Sequence, residues 1–286
     1  MAIARIGVVG CGLMGSGVAE AAARSGADVN VVDLDHGLVK RGRERVAASI
    51  ARAVKSGKLS EDEAELAMGH IQFSTEMGSL AESELVIEAV VESEPEKVAV
   101  FEQIDKIVKA HDAVLASNTS SIPIMKLAMA TNRPAQVIGI HFFNPVPVLP
   151  LVELVTSLLT SDETALVANS FASSQLGKHV IRSQDRAGFI VNALLIPYLL
   201  SAIRMLESGF ATADDIDLGM VKGCAHPMGP LALADLIGLD TTMAVADSLY
   251  EEFKEPLYAP PPLLNRMVEA GLLGRKSGRG FFDYGT

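Results

Sequence analysis

Between residues 6 and 33 three features follow one another in an order that leaves few folds open. An apolar run, Ile6-Gly7-Val8-Val9, leads into Gly10-Cys11-Gly12-Leu13-Met14-Gly15. A helical pattern then runs from Leu13 to Arg24, and a second apolar run, Val29–Val32, ends on Asp33. Strand, glycine turn, helix and strand is the repeating unit of a parallel sheet. The three glycines serve different ends. Gly10 permits the tight turn, Gly12 lets the backbone approach a pyrophosphate, and Gly15 allows helix and strand to pack closely. The helix amino terminus offers N–H groups and a positive dipole end to phosphates. An acid closing the second strand accepts hydrogen bonds from both adenosine ribose hydroxyls and repels a 2′-phosphate. The segment therefore reads as a dinucleotide site made by Gly10, Gly12, Leu13, Met14, Gly15 and Asp33, with NAD as its ligand.

The alternation continues well beyond the motif. Strand-like runs lie at Arg5–Val9, Val29–Val32, Leu85–Val91, Ala113–Ala116, Val137–Ile140 and Leu151–Val155. Helical stretches such as Leu13–Arg24, His36–Lys55 and Pro95–Ala110 separate them. This predicts a Rossmann-type α/β domain, its mostly parallel sheet covered on both faces, over residues 1–185. From Phe189 onward apolar residues keep helical spacing, so residues 186–286 are expected to form a second, all-helical domain. The most apolar stretch, Ala187–Ile203, is interrupted by Asn192, Pro197 and Ser201. It reads as a buried helix rather than a membrane span, which needs about 20 apolar residues.

Composition narrows the partners. The formal net charge of -11 argues against general affinity for nucleic acid or anionic membrane. Two cysteines, Cys11 and Cys224, stand far apart and in no metal-ligand spacing, so neither a metal site nor a disulfide framework is expected. Met1–Arg5 runs directly into a strand, so no signal or transit peptide and a cytoplasmic location are expected.

Three further segments put polar groups where a parallel sheet presents its ligand crevice, at the carboxyl ends of strands. They are Ala116-Ser117-Asn118-Thr119-Ser120-Ser121, His141-Phe142-Phe143-Asn144-Pro145, and Glu153 within Leu151–Val155. By alternation Glu153 shares a face with Leu151 and Val155, so its carboxylate needs a partner if that face is buried. An imidazole would supply one, giving a pair suited to proton transfer. Residue patterns alone leave the alternative open: an edge strand with Glu153 in solvent and His141 as a satisfied core residue.

The segments GCGLMGSG, EAVVE, ASNTSSIPI, HFFNPVPVLPLVELV, GFIVNALLIPYL, HPMGP, LIGLDTT and GRKSGRGFFDY resemble the L-3-hydroxyacyl-CoA dehydrogenase family from Arg5 to Tyr284. The similarity is greatest to its single-function bacterial branch acting on 3-hydroxybutyryl-CoA. The resemblance implies an NAD-dependent interconversion of (S)-3-hydroxyacyl-CoA and 3-oxoacyl-CoA. It implies His141 as the acid–base residue, Glu153 as its orienting partner, and Ser120 and Asn192 as hydrogen-bond donors to the substrate oxygens. For the coenzyme it implies Asp33, Glu92, Lys97, Asn118, Ser120, Asn144 and Lys276, and for the assembly a homodimer through the helical domain.

Lys40, Arg41, Arg43, Arg45, Arg52, Lys55 and Lys58 face a single acid, Glu44, between residues 40 and 58. Two readings stand: a solvated helix face, or a landing site for coenzyme A phosphates. The resemblance places CoA contacts in this region, at Ser49 and, with Ser56 standing where the family has lysine, at neighbouring Lys55. Two rival functions share the scaffold. One is a dehydrogenase of a free hydroxy or sugar acid, which needs no basic platform. The other is a non-catalytic NAD-binding structural protein, which would have no need of Ser120, His141, Glu153 and Asn192 together.

Overall fold

A computed structural model describes residues 2–285, and the chain divides into two compact units, Met1–Arg186 and Ala187–Thr286. In the first, among the described residues, eight strands form one sheet. They are β1 (Arg5–Val9), β2 (Asp28–Val32), β3 (Ile71–Ser74), β4 (Leu85–Glu88), β5 (Val114–Ser117), β6 (Val137–Phe142), β7 (Leu151–Thr156) and β8 (His179–Gln184). Their spatial order is β3-β2-β1-β4-β5-β6-β7-β8. Neighbours pair in parallel throughout except β6 with β7, which are antiparallel. The order reverses between β1 and β4, and a crevice opens at the carboxyl ends of strands at such a reversal.

The helices connecting these strands form for local reasons. Helix α1 (Leu13–Arg24) lays Val18, Ala19, Ala22 and Ala23 against Ile6, Val8, Val29 and Val31, small residues permitting close approach to the sheet. Helix α2 (His36–Lys55) starts where the Asp35 carboxylate accepts the Leu38 N–H, and α3 (Glu61–Gly69) starts on a reciprocal Ser60–Glu63 capping box. Helices α4 (Glu94–Ile107), α5 (Ile124–Met129) and α6 (Asp162–Ser170) complete the unit.

Several boundaries differ from those read off the sequence. Strands β3 and β8 carry little apolar signal because they are the sheet's two edges, and β8 is largely exposed. Strand β4 stops at Glu88 rather than Val91, where the Glu88 carboxylate accepts the Val90 N–H and turns the chain. Strand β6 runs two residues past Ile140, so His141 lies inside the strand rather than beyond it.

The second unit packs helices α7 (Val191–Glu207), α8 (Ala213–Gly223), α9 (Pro230–Ile237), α10 (Leu239–Phe253) and α11 (Pro262–Glu269) around Ile196, Leu199, Leu200, Leu231, Leu239 and Leu249. Two buried carboxylates organise it. Asp217 accepts the Leu231 and Ala232 N–H groups at the start of α9. Asp235 accepts the N–H groups of Phe281 and Phe282 and the Tyr284 hydroxyl, tying down the tail. Among the described residues, no helix is long and apolar enough to cross a membrane.

Candidate active site

The glycine turn has the geometry its sequence requires. Gly10 has φ +96°, where side chains are strained, and a Cβ there would lie 2.6 Å from the Ala89 carbonyl oxygen. A Cβ at Gly15 would lie 1.8 Å from the Gly10 carbonyl oxygen. At Gly12 an added Cβ meets nothing within 4 Å, so the space a pyrophosphate needs is open. Gly12 also caps α1 without a side-chain hydrogen bond, leaving its opening N–H groups, at Leu13 and Met14, uncovered by any capping side chain. At the end of β2, Asp33 accepts the Cys11 N–H on one carboxylate oxygen and the Leu34 N–H on the other, both at 2.7 Å. Each oxygen keeps acceptor capacity for a ribose hydroxyl. The residues present thus fit a dinucleotide. Cys11 is buried against Gly42, and burial, with Asp33 beside it, pushes its thiol up to about 12, so it is a packing residue rather than a nucleophile.

Beside the strand-order reversal lies a buried charge cluster. Lys97 on α4 is 1% exposed, and its ammonium nitrogen stands 2.6 Å from Glu88 Oε1, 3.3 Å from the Val90 carbonyl and 3.3 Å from Glu92 Oε2. Glu92 Oε1 in turn accepts from Thr119 Oγ1, the Ser120 and Ser121 N–H groups and Ser121 Oγ. Burial works to raise the Glu92 carboxyl, but Lys97 and these donors outweigh it and hold it below the usual range. Asn118, next in the same loop, accepts the Phe142 N–H at 2.9 Å and so joins the end of β5 to the end of β6.

Antiparallel register sets His141 directly opposite Glu153, with Nδ1 2.7 Å from Oε2. Glu153 is fully buried and His141 nearly so, with the Phe143 ring 4.6 Å away. The edge-strand alternative is excluded because β8 covers the far side of β7, pairing Ile181 with Glu153.

Helix α2 and the loop after β6 border a cleft of about 190 Å³ lined by Glu20, Arg45, Ser49, Arg52, Asn144 and Pro147, among others. Ser49 and Asn144 therefore face a common space, whereas Lys55 sits on the last turn of α2 outside that lining. In the second unit, Asn192 is half-buried at the start of α7. Lys276 is exposed and holds both carboxylate oxygens of Asp240, at 2.5 and 2.6 Å.

Sequence reasoning missed Glu88, which is fully buried and accepts from Val90, Lys97 and Ser117. The signal was present: an acid ends an apolar strand there as Asp33 does at β2.

Two family models match nearly the whole chain: the NAD binding domain of 3-hydroxyacyl-CoA dehydrogenase over residues 5–186, and its C-terminal domain over residues 188–284. The chain is 58% identical over 283 residues to the 3-hydroxybutyryl-CoA dehydrogenase of Mycobacterium tuberculosis (strain CDC 1551 / Oshkosh), covering 99% of both. It superposes on the crystal structure of M. tuberculosis FadB2 with a TM-score of 0.98 at 58% identity, covering 100% of both chains. On the (S)-3-hydroxybutyryl-CoA dehydrogenase of Ralstonia eutropha the TM-score is 0.94 at 46% identity, covering 99% of this chain and 100% of the other. With the glycine turn, the His141–Glu153 pair and both domain models in one chain, the protein belongs to the 3-hydroxyacyl-CoA dehydrogenase family.

Proposed function

We propose that this protein is an NAD-dependent (S)-3-hydroxybutyryl-CoA dehydrogenase, interconverting that thioester and acetoacetyl-CoA. The observation that carries the reading is the buried His141–Glu153 hydrogen bond at the crevice end of a sheet whose first turn fits a dinucleotide. Glu153 accepts the Nδ1 proton of His141, so the neutral ring carries its lone pair on Nε2. In oxidation, Nε2 takes the proton of the C3 hydroxyl as hydride leaves C3; in reduction, the imidazolium returns that proton to the C3 oxygen. NAD, when bound, supplies the hydride acceptor, and its reduced form the donor. The Glu153 carboxylate steadies the imidazolium formed in the step. Ser120 and Asn192 are assigned to the substrate oxygens, where their hydrogen bonds steady developing charge.

For the coenzyme we assign the turn from Gly10 to Gly15 to the pyrophosphate and Asp33 to the adenosine ribose. Glu92, Lys97, Asn118, Ser120, Asn144 and Lys276 are assigned to the remainder. The coenzyme A end is assigned to the basic cleft holding Ser49 and Arg52. A homodimer through the helical unit accords with its exposed Leu194, Phe210 and Leu218. A cytoplasmic location accords with two free cysteines.

The direct test is loss of the NADH absorbance band on adding acetoacetyl-CoA, with free acetoacetate alongside. Oxidation of NADH by the thioester alone is expected. Equal rates with the free acid would remove coenzyme A from the assignment, and no oxidation with either would end the reading. His141→Gln should abolish most turnover while sparing NADH affinity.

A further inference from the structure

The cleft between α2 and the loop after β6 is lined by three charged side chains, Glu20, Arg45 and Arg52. Glu20 is buried 3.4 Å from Arg24 and lies in the field of Arg52, so these charges answer one another. Arg45 forms no ion pair among the described residues. Its guanidinium donates from Nη1 to the Cys11 carbonyl at 3.1 Å. A guanidinium carries five N–H donors in a planar fork, so four remain for a ligand. That fork suits a phosphate.

Helix packing brings Arg45 to this place. Arg45, Ser49 and Arg52 are spaced four and three residues apart on α2 and so share one face. One turn earlier, Gly42 is pressed onto the glycine turn: a Cβ there would lie 2.5 Å from Cys11 Cβ. The Cys11 peptide is then held from both sides. Its N–H donates to Asp33 Oδ2 at 2.7 Å, and its carbonyl accepts from Ser16 Oγ at 2.9 Å as well as from Arg45. Asp33 and the turn are assigned to the coenzyme, and the cleft beside Arg45 to coenzyme A. One peptide group therefore joins the two sites through two hydrogen bonds.

We propose that Arg45 binds a phosphate of coenzyme A and, through the Cys11 carbonyl, couples the acyl-CoA and coenzyme sites. With the turn occupied, the Cys11 peptide is fixed, and with it the guanidinium that hangs from its carbonyl. A long side chain is then already ordered when the phosphate arrives, so each ligand tightens the other. The inference rests on the coenzyme and substrate readings given above. It separates Arg45 from Arg52, which lines the same cleft without holding the turn.

The test is fluorescence titration of the full chain with NADH, alone and at saturating coenzyme A, a free thiol that leaves NADH unoxidised. In the unmodified protein coenzyme A should tighten NADH binding about fivefold, and NADH should tighten coenzyme A by the same factor. Arg45→Met should weaken coenzyme A about tenfold and bring the coupling below about twofold. Arg52→Met should weaken coenzyme A comparably yet keep the fivefold coupling, because it leaves the Cys11 carbonyl and its arginine in place. Arg45→Lys keeps the charge but lacks the fork, so it should recover part of the coenzyme A affinity and little of the coupling. Arg45 lies on the exposed side of α2, and a melting curve checks that each variant is folded. Three results would overturn the proposal: no coupling in the unmodified protein, parental coenzyme A affinity in Arg45→Met, or equal loss of coupling in Arg52→Met. Should Arg45→Met not fold, Arg45→Lys with full coupling would overturn it as well. An unmodified protein that binds NADH but no coenzyme A would instead end the substrate reading, an outcome distinct from two bound ligands without coupling.

Discussion

Glu153→Gln changes one atom of the proposed proton relay and leaves its volume intact. The carboxylate lies 2.7 Å from Nδ1 and is fully buried, so water screens the pair poorly. When His141 carries the substrate proton, the two opposite charges stand roughly 4 Å apart between their centres. At an effective dielectric of about 20 that attraction is worth about 4 kcal/mol. Glutamine keeps a neutral hydrogen bond worth about 1 kcal/mol, so about 3 kcal/mol of support for the imidazolium is lost. It can also turn its amide N–H toward Nδ1, which places the ring proton on Nε2 and blocks proton uptake from the hydroxyl. At about 1.4 kcal/mol per decade, kcat should fall on the order of two to three powers of ten. The assay is steady-state reduction of NAD by (S)-3-hydroxybutyryl-CoA, the direction in which His141 takes up the proton, paired with NADH titration and a melting curve. Coenzyme affinity should stay within about twofold, since uniform binding is untouched. A folded Glu153→Gln protein with kcat within about fivefold of the parent would refute the argument, because so small a loss leaves no room for a buried counter-charge.

Gly15→Ala would drive a methyl into the Gly10 carbonyl oxygen, now 1.8 Å from the Cβ position, so thermal unfolding should drop by several degrees and NADH binding should be lost. Glu20 is buried with its carboxyl raised, by burial first and against Ser49, Arg24 and Arg52, which pull it down. A carboxyl raised in the folded state costs stability as pH climbs above its ordinary value of 4.5 and costs nothing well below it. Glu20→Gln should therefore raise Tm at pH 8 and leave it unchanged at pH 4, as a pH series of melting curves would show. Arg52 lines the basic cleft and Lys55 does not, so Arg52→Glu should raise KM for acetoacetyl-CoA about tenfold and Lys55→Glu about twofold, with KM for NADH unchanged in both. Added salt should narrow the gap between these two variants and the parent.

Which parts of this protein were legible without coordinates follows from the range of the forces involved. The turn at Gly10–Gly15 is a local matter, since a positive φ and a Cβ clash are properties of a few adjacent residues. The change from alternating strands to helical spacing near residue 185 is likewise written in local periods of two and about 3.6. Glu153 announced itself as a carboxylate in an apolar run, which demands a partner wherever it is buried. Whether it is buried was not local: β8, a polar edge strand with no clear pattern, turns β7 into an interior strand and shuts solvent away from that carboxylate. The pairing with His141 likewise depends on an antiparallel register between two strands, which residue types alone do not specify. Lys97 shows the same division. From the sequence the resemblance marks it for the coenzyme; only the tertiary structure shows it buried among Glu88, Val90 and Glu92, because burial is a property of the packed site. Sequence by itself determined the architecture and the chemical types at the site. Tertiary structure decided which charges are dry and which partners they meet, because burial and register are set by the packed chain and not by neighbouring residues.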